Sequence, residues 1–337
     1  MNFNPSDIKK IAVIRIGKIG DLIVSDFALR KIRTSFPNAK ILLVTLPRVK
    51  ELIQYSEYYD EVKFFNKGFD LISLLAYLRK YQADLLLDFN DNPSGTSKYI
   101  LQFCGSKYKV GFQFQRNQKY LTIPVQCPDH EKTHITQRIR LIPEAIGLTF
   151  SDSEIKPAMI IGKREMANVK NQIVRANPKH KPVIAVNLSA GDKSRYWKVE
   201  HWWKLLMDIR RVEKDVLFVL LSDPTDAHIA KDVGTPFPSD TILFPAYTDF
   251  HSFASYIALS DLLISPDTSA IHIACSQSIP LIGLYPAISW NYSSWHPINT
   301  KFQTVRPDSS DVSNISPQKV FDAYCKLRPD VKALSGS

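Results

Sequence analysis

Two short loops, far apart in the chain, combine residue types that can hold an anion or move a proton. Residues 15–21 read R-I-G-K-I-G-D and follow the apolar run 11–14, and residues 267–272 read D-T-S-A-I-H after the apolar run 262–264. A loop that leads from a buried strand into a helix offers free backbone N–H groups and the positive end of the helix dipole. Two such loops, one in each half, indicate an enzyme with a ligand bound between two α/β domains.

The first loop places a carboxylate directly after a glycine-bearing turn. Gly17, Lys18 and Gly20 form the turn, and Asp21 lies where the loop becomes a helix. One interpretation is that Asp21 only caps the helix N-terminus. The other is that it is a general base at the mouth of a cleft. The residues alone leave both open.

The second loop opens a helix with hydroxyl groups. Asp267, Thr268 and Ser269 suit a pyrophosphate, although the same residues also make an ordinary N-cap. His272 lies one turn further along, where it could donate a hydrogen bond to a phosphate oxygen or simply pack.

A third segment, residues 189–197, follows the strand predicted at 181–188. It begins at Ser189 and carries Lys193 and Arg195, whose charges suit phosphate, with a solvated surface turn as the alternative.

Three familiar motifs fit less well. The first loop lacks the GxGxxG spacing, and no acidic residue ends the second strand, which argues against a nicotinamide site. It also lacks the residues of a P-loop. Residues 130–134 read H-E-K-T-H, but they follow C-P-D and have no third ligand nearby, so we interpret them as the polar start of a helix rather than a zinc site.

Composition narrows the class of partner. The chain has 337 residues, 45% of them hydrophobic, and a net charge of +10 that favours an acidic partner. The basic residues are scattered and no nucleic-acid motif accompanies them, so we expect no nucleic-acid partner. Four cysteines without a CxxC pair, no signal-like start and no apolar run long enough to span a bilayer predict a cytoplasmic protein.

Short apolar runs alternate with helical patterns along the whole chain, and residues 21–36 and 48–55 are among the predicted helices. This alternation predicts an α/β protein with parallel sheets. The polar segment 151–157 is the predicted linker, which gives domains at 1–157 and 158–337. The last predicted helix, 317–327, has few apolar partners nearby and is expected to pack back on the N-terminal half.

These motifs resemble glycosyltransferase family 9, the heptosyltransferase family of lipopolysaccharide core synthesis. Residues 15–21 and the helix that ends F-P-N-A at 36–39 resemble its R-x-x-x-x-G-D opening. Similar blocks occur at 88–91, 108–112, 189–202, 267–272 and 279–285. Ser269 stands where the family has glycine, and Arg195 where it has lysine.

The resemblance implies a GT-B fold, with two Rossmann-like domains that face a cleft. The N-terminal domain, 1–157, would bind the acceptor through the loop with Gly17, Lys18 and Gly20, and the C-terminal domain, 158–337, would bind the nucleotide sugar. It implies an inverting transfer of heptose from ADP-heptose to an anionic lipopolysaccharide-core acceptor, without a metal or cofactor, at the inner face of the cytoplasmic membrane. By the same resemblance, Asp21 is the general base. The donor-binding residues it implies are Ser189, Lys193, Arg195, Asp226, Asp267, Thr268, Ser269 and His272, with Asp226 at an acidic ribose-contact position.

Other functions remain open on the residues alone. They are a GT-B transferase with another donor or acceptor, a GT-B epimerase or hydrolase that acts on the nucleotide sugar, and a binding protein without catalysis.

Overall fold

The fold is described from a computed structural model, which covers residues 5–66, 68, 70–237, 241–243, 249–308 and 311–334. The chain divides into two compact units, Met1–Ala158 and Met159–Ser337. The division lies one residue beyond the predicted end of the first domain, and the 3₁₀ turn Asp152–Glu154 lies just before it.

The first unit is built on a parallel sheet. Its strands are β1 Lys10–Ile14, β2 Lys40–Thr45, β3 Glu61–Phe64, β4 Leu85–Asp88, β5 Tyr108–Phe112 and β6 Ile123–Val125, in the order β3-β2-β1-β4-β5-β6. Its helices are α1 Ile19–Ile23, α2 Asp26–Ser35, α3 Asp70–Tyr81, α4 Gly95–Phe103, α5 Ile135–Ile139 and α6 Leu141–Glu144.

The second unit repeats the plan. Its strands are β7 Val183–Asn187, β8 Leu217–Leu221, β9 Thr241–Leu243, β10 Leu262–Pro266, β11 Leu281–Leu284 and β12 Phe302–Val305, in the order β12-β11-β10-β7-β8-β9. Its helices are α7 Lys163–Ala176, α8 Val199–Val212, α9 Ala227–Gly234, α10 Phe250–Ala258, α11 Ser269–Ser276, α12 Ser289–Trp295 and α13 Pro317–Leu334.

The central strands are continuous apolar runs because helices cover both faces of each sheet. All residues of β4, β7, β8 and β10 are buried, as are residues 11–14 of β1. This is the pattern expected of parallel strands buried on two sides. The α/β prediction is confirmed.

Strand order fixes where a ligand can bind in each unit. In both sheets the order reverses between the first and the fourth strand of the unit, that is, between β1 and β4 and between β7 and β10. In open α/β sheets, ligands bind beyond the carboxyl ends of the strands at this reversal. The loops at 15–21 and 267–272 follow β1 and β10, so both lie at such a point.

Some predicted helices are wrong. The helix predicted over 21–36 is two helices, α1 and α2, which are separated at Val24 and Ser25; the Ser25 hydroxyl donates to the Asp21 carbonyl oxygen at 2.6 Å. Residues 48–55 form a 3₁₀ turn and further turns rather than an α-helix.

The last helix does not follow its prediction either. In α13, Val320, Ala323, Tyr324 and Leu327 are buried in the core cluster of the second unit, together with α8 and β12 residues. The expectation that the segment 317–327 has few apolar partners nearby is therefore wrong, whereas its packing on the N-terminal half stays a prediction.

Candidate functional site

The carboxylate of Asp21 rests against a glycine. Asp21 lies in the first turn of α1, and a Cβ added to Gly17 would stand 2.5 Å from Asp21 Cγ and 2.6 Å from Oδ2. The close approach of Asp21 therefore requires a glycine at position 17. The backbone of Gly17 is not in the left-handed region. Gly20 was predicted to lie in the loop, but it is the second residue of α1.

Both oxygens of the Asp21 carboxylate accept hydrogen bonds. Oδ2 accepts from the Lys18 backbone N–H at 2.7 Å, and Oδ1 accepts from Arg15 Nη2 at 3.0 Å. The Asp21 side chain is nevertheless 23% exposed. Since a carboxylate has about four lone-pair positions, it can accept a further proton or hydrogen bond from solvent or substrate. Asp21 therefore caps the helix and remains accessible.

Arg15 is fixed in place on the buried side of Asp21. Its side chain is only 2% exposed; Nη1 donates to the Phe89 carbonyl oxygen at 2.8 Å and Nε to the Asp21 carbonyl oxygen at 3.2 Å. These contacts tie the loop after β1 to the end of the neighbouring β4. The guanidinium is therefore pre-oriented toward the Asp21 carboxylate.

A second buried carboxylate lies behind Arg15. Asp91 Oδ1 is 3.6 Å from Arg15 Nη1, and Asp91 Oδ2 accepts from Arg138 Nε at 3.0 Å and Nη2 at 2.8 Å. Burial alone would raise the pKa of Asp91, but Arg15 and Arg138 outweigh it and lower the pKa. We call Asp21, Arg15, Asp91 and Arg138 the charged cluster.

The Asn90 side chain also connects the loop after β4 to the loop after β1, by a hydrogen bond with the backbone of the latter. Its Oδ1 accepts from the Ile16 N–H at 2.9 Å, while its Nδ2 donates to Asp88 Oδ1 at 2.6 Å. Burial raises the pKa of Asp88 to about 6 despite these hydrogen bonds. The block at 88–91, noticed in the sequence only as a motif, thus positions the loop that carries Asp21.

The H-E-K-T-H segment does not form a zinc-binding helix. Helix α5 begins at Ile135, and His134 is its N-cap, as the prediction of a polar helix start requires. His130 instead lies with Nε2 3.0 Å from the Asp91 carbonyl oxygen. In the described part of the chain, no three His, Cys, Asp or Glu side chains are grouped so as to hold a metal ion.

In the second unit, one amide joins the ends of β7 and β10. Asn187 Nδ2 donates to Ser265 Oγ and to Thr268 Oγ1, each at 3.0 Å. Thr268 is the N-cap of α11, and its hydroxyl accepts from the Ala270 N–H at 3.3 Å. Asn187 therefore sets the start of the helix whose N-terminus was predicted to bind phosphate; Ser269 is the first residue of that helix.

Arg195 reaches the same loop from the segment after β7. Its Nη1 is 3.1 Å from Asp267 Oδ2 and 3.0 Å from the Asp267 carbonyl oxygen, with the Arg195 side chain 30% exposed and the Asp267 side chain 5% exposed. The structure thus brings Arg195 and Asp267 together as predicted neighbours. Lys193 lies in the 3₁₀ turn Lys193–Arg195 and is exposed.

The loops after β7 and β8 are also joined. Ser189 Oγ accepts from the Asp223 N–H at 2.7 Å, and the Tyr196 hydroxyl donates to Asp226 Oδ2 at 2.7 Å. Asp226 is buried, and the hydrogen bond from Tyr196 already engages one of its two carboxylate oxygens. Tyr196 was not among the predicted site residues.

His272 is buried in the first half of α11. It is 5% exposed, its ring lies 5.7 Å from that of Trp295, and burial lowers its pKa to about 4. At neutral pH the imidazole is therefore uncharged. It can donate one hydrogen bond to an anion, but it cannot supply a positive charge.

A family model decides the class of this protein. The model described as glycosyltransferase family 9 (heptosyltransferase) matches residues 71–324. The chain belongs to this family. It is a glycosyltransferase, and the resemblance drawn from its motifs is confirmed. The matched segment includes all the second-unit residues described above but begins after the loop that carries Asp21.

Individual relatives are distant but share the whole fold. The lipopolysaccharide core heptosyltransferase OpsX of Haemophilus influenzae is 20% identical over 289 residues, which are 82% of this chain and 79% of the relative. Among solved structures, a glycosyltransferase family 9 protein from Veillonella parvula has a TM-score of 0.80 at 17% identity, covering 96% of this chain and 97% of that one. The ADP-heptose lipopolysaccharide heptosyltransferase II of E. coli has a TM-score of 0.74 at 17% identity, with 96% and 99% covered. This family member has the GT-B fold, with two Rossmann-like units.

Several residues that shape these sites were not predicted as site residues. They are Arg15, Asn90, Asp91, Arg138, Asn187 and Tyr196. Most of them stand at or just after strand ends next to the strand-order reversal, which is the signal that a topology-based search could have used. Arg138 gave no signal, because an arginine on a short helix is usually exposed.

Proposed function

We propose that this glycosyltransferase moves a heptose from ADP-heptose to an anionic lipopolysaccharide inner-core acceptor, with inversion at the anomeric carbon. The observation that carries the chemistry is the accessible Asp21 carboxylate, held between Gly17 and the buried Arg15. The named relatives, a core heptosyltransferase and an ADP-heptose heptosyltransferase, support the choice of donor and acceptor.

In the proposed reaction, the acceptor hydroxyl oxygen attacks the anomeric carbon and gives its proton to Asp21. The bond between that carbon and the diphosphate oxygen breaks, and its electron pair leaves with ADP. A single displacement of this kind inverts the anomeric centre. Arg15 holds the Asp21 carboxylate in place by direct ion pairing at 3.0 Å.

The second unit would stabilise the departing ADP. Arg195 supplies a positive charge, and the N-terminus of α11 with Thr268 supplies hydrogen-bond donors. Neutral His272 would add one more donor. These groups supply the positive potential that a divalent metal provides in other transferases, so we propose that the reaction needs no metal or cofactor.

We further propose that the protein acts at the inner face of the cytoplasmic membrane, where an anionic glycolipid acceptor would be found. None of the helices in the described part of the chain is long and apolar enough to cross a membrane. Of the net charge of +10, most falls within residues 1–158, the unit that carries Asp21. Basic side chains are attracted to anionic lipid surfaces by about 1 kcal/mol each.

The test is a transfer assay with ADP-heptose and truncated core acceptors, with products identified by mass. Transfer of one heptose supports the proposal. Donor consumption without an acceptor indicates the hydrolase or epimerase alternative, and tight nucleotide binding without turnover indicates a binding protein. Transfer only from another nucleotide sugar would contradict the proposed donor alone.

The role of Asp21 is tested by Asp21→Asn. Loss of a general base is expected to lower kcat by about 10²–10⁴-fold. Because the substitution also removes the partner of buried Arg15, we expect a lower melting temperature as well. Donor affinity, measured on the folded protein, should not change. A kcat that falls only in proportion to the unfolded fraction would contradict catalysis by Asp21.

A further inference from the structure

The charged cluster alternates in sign from the interior to the surface of the first unit. Arg138 is 1% exposed, Asp91 6%, Arg15 2% and Asp21 23%. Only the last member is open to solvent. The other three are buried charges, and they are compensated within the cluster, Asp91 by the two arginines and Arg15 also by Asp21.

Asp91 divides its two oxygens between the two arginines. Oδ2 accepts both hydrogen bonds from Arg138, and Oδ1 stands 3.6 Å from Arg15 Nη1. Arg15 in turn directs Nη2 to Asp21, so its two terminal nitrogens are directed to different carboxylates. Asp91 thus lies beside one terminal nitrogen of the Arg15 guanidinium, and Asp21 lies beside the other.

We propose that Asp91 is a positioning residue for the reaction, acting on Asp21 through Arg15. This inference rests on the proposed role of Asp21 as the general base. Without the Asp91 charge, only the hydrogen bonds to the Phe89 and Asp21 carbonyl oxygens oppose the attraction of Arg15 to the Asp21 carboxylate, and the guanidinium turns toward that carboxylate. The carboxylate is then misplaced relative to the acceptor hydroxyl, and a displacement of about 1 Å can lower a rate on the order of 10²-fold.

The principal variant is Asp91→Asn, which keeps the shape of the side chain and removes its charge. We expect kcat to fall between about 10-fold and about 100-fold, with the donor KM unchanged within about twofold.

Asp91→Asn leaves two buried arginines with less compensation and can prevent folding. The double variant, Asp91→Asn with Arg138→Gln, removes one charge of each sign and should recover stability. Its kcat should stay low, since Arg15 still lacks Asp91.

Asp84→Asn is the matched control. Asp84 directly precedes β4, at the end of the strands opposite to the charged cluster. Its Oδ2 accepts from the Lys9 and Lys10 N–H groups at 2.9 and 2.8 Å. It makes structural hydrogen bonds but does not contact the charged cluster. We expect any loss of stability here to leave kcat per folded molecule and the donor KM unchanged.

The outcomes separate the two proposals. Suppose that the wild type transfers heptose and Asp21→Asn does not. The positioning role is then wrong if both Asp91 variants keep full kcat, or lose it only in proportion to the unfolded fraction. If the wild type does not transfer, or Asp21→Asn remains fully active, the proposed function itself fails. A lower kcat per folded molecule in both Asp91 variants, with an unchanged donor KM, supports the inference.

Discussion

Gly17→Ala tests the position of the Asp21 carboxylate without changing any charge. The added Cβ would lie 2.5 Å from Asp21 Cγ, whereas ordinary contacts begin at 3.4 Å. The carboxylate must therefore move by roughly 1 Å. That movement disrupts its 3.0 Å contact with Arg15 and its 2.7 Å contact with the Lys18 N–H. Since the φ angle of Gly17 is not positive, alanine adds no backbone strain.

We expect kcat to fall on the order of 10²-fold, the usual result of a 1 Å misplacement. Steady-state rates with ADP-heptose and a core acceptor measure the change, and calorimetric titration with ADP should show an unaltered donor site. Gly95→Ala is the matched control, because Gly95 begins α4 in the same unit and a Cβ there meets nothing within 4 Å. A folded Gly17→Ala protein with the kcat of the control would refute the importance of this geometry.

Three further predictions concern the nucleotide, the membrane and pH. ADP should bind equally well with EDTA, and Arg195→Gln should weaken it by about 10-fold or more; affinity that returns only with magnesium would contradict this. High salt should release the protein from anionic membranes, since it shortens the screening length; release only by detergent would argue for another mode of attachment. Burial raises the pKa of Asp26 from 3.8 to about 7, and its Oδ2 has no hydrogen-bond partner among the described residues. The folded state therefore holds this proton more tightly, and stability should fall as pH rises through this window. Asp26→Asn should raise the melting temperature near pH 8 but not near pH 4, and an equal gain at both pH values would show that charge is not the cause.

The central strands could be predicted from the sequence because burial on both faces gives them an unmistakable apolar run. The edge strand β3 was also predicted, over residues 61–65, but the edge strands β6, β9 and β12 were not. Residues of β6 are half-buried or exposed and include Pro124, and β9 and β12 are also short. Strands this short with mixed burial have no periodicity to detect.

The helix predicted at 48–55 failed for a local reason. The Lys50 N–H bonds to the Pro47 carbonyl, the Ile53 N–H to the Val49 carbonyl and the Gln54 N–H to the Glu51 carbonyl. These bonds mix three- and four-residue spacings, so no continuous α-helical ladder forms. The apolar pattern of the segment reflects burial of Val49, Leu52 and Ile53 in turns.

Motifs located the site loops but not the contacts that hold them. The loop with Asp21 was identified by its glycines and carboxylate. The pairing of Arg15 with Asp91 spans 76 positions, and that of Asp91 with Arg138 spans 47. Such pairs depend on how β1, β4 and α5 pack, which a single sequence does not encode in any local pattern.

The two units place different chemistry at the same topological position. At the reversal between β1 and β4, the loops carry buried arginines and carboxylates that neutralise one another and leave one carboxylate, Asp21, accessible. At the reversal between β7 and β10, the loops carry Asn187, Thr268 and a helix N-terminus, with Arg195 partly exposed beside Asp267. A proton acceptor needs an exposed negative charge, and a diphosphate needs oriented donors with a positive charge. The shared fold therefore sets where each substrate can bind, and the residues after the strands decide which substrate it is.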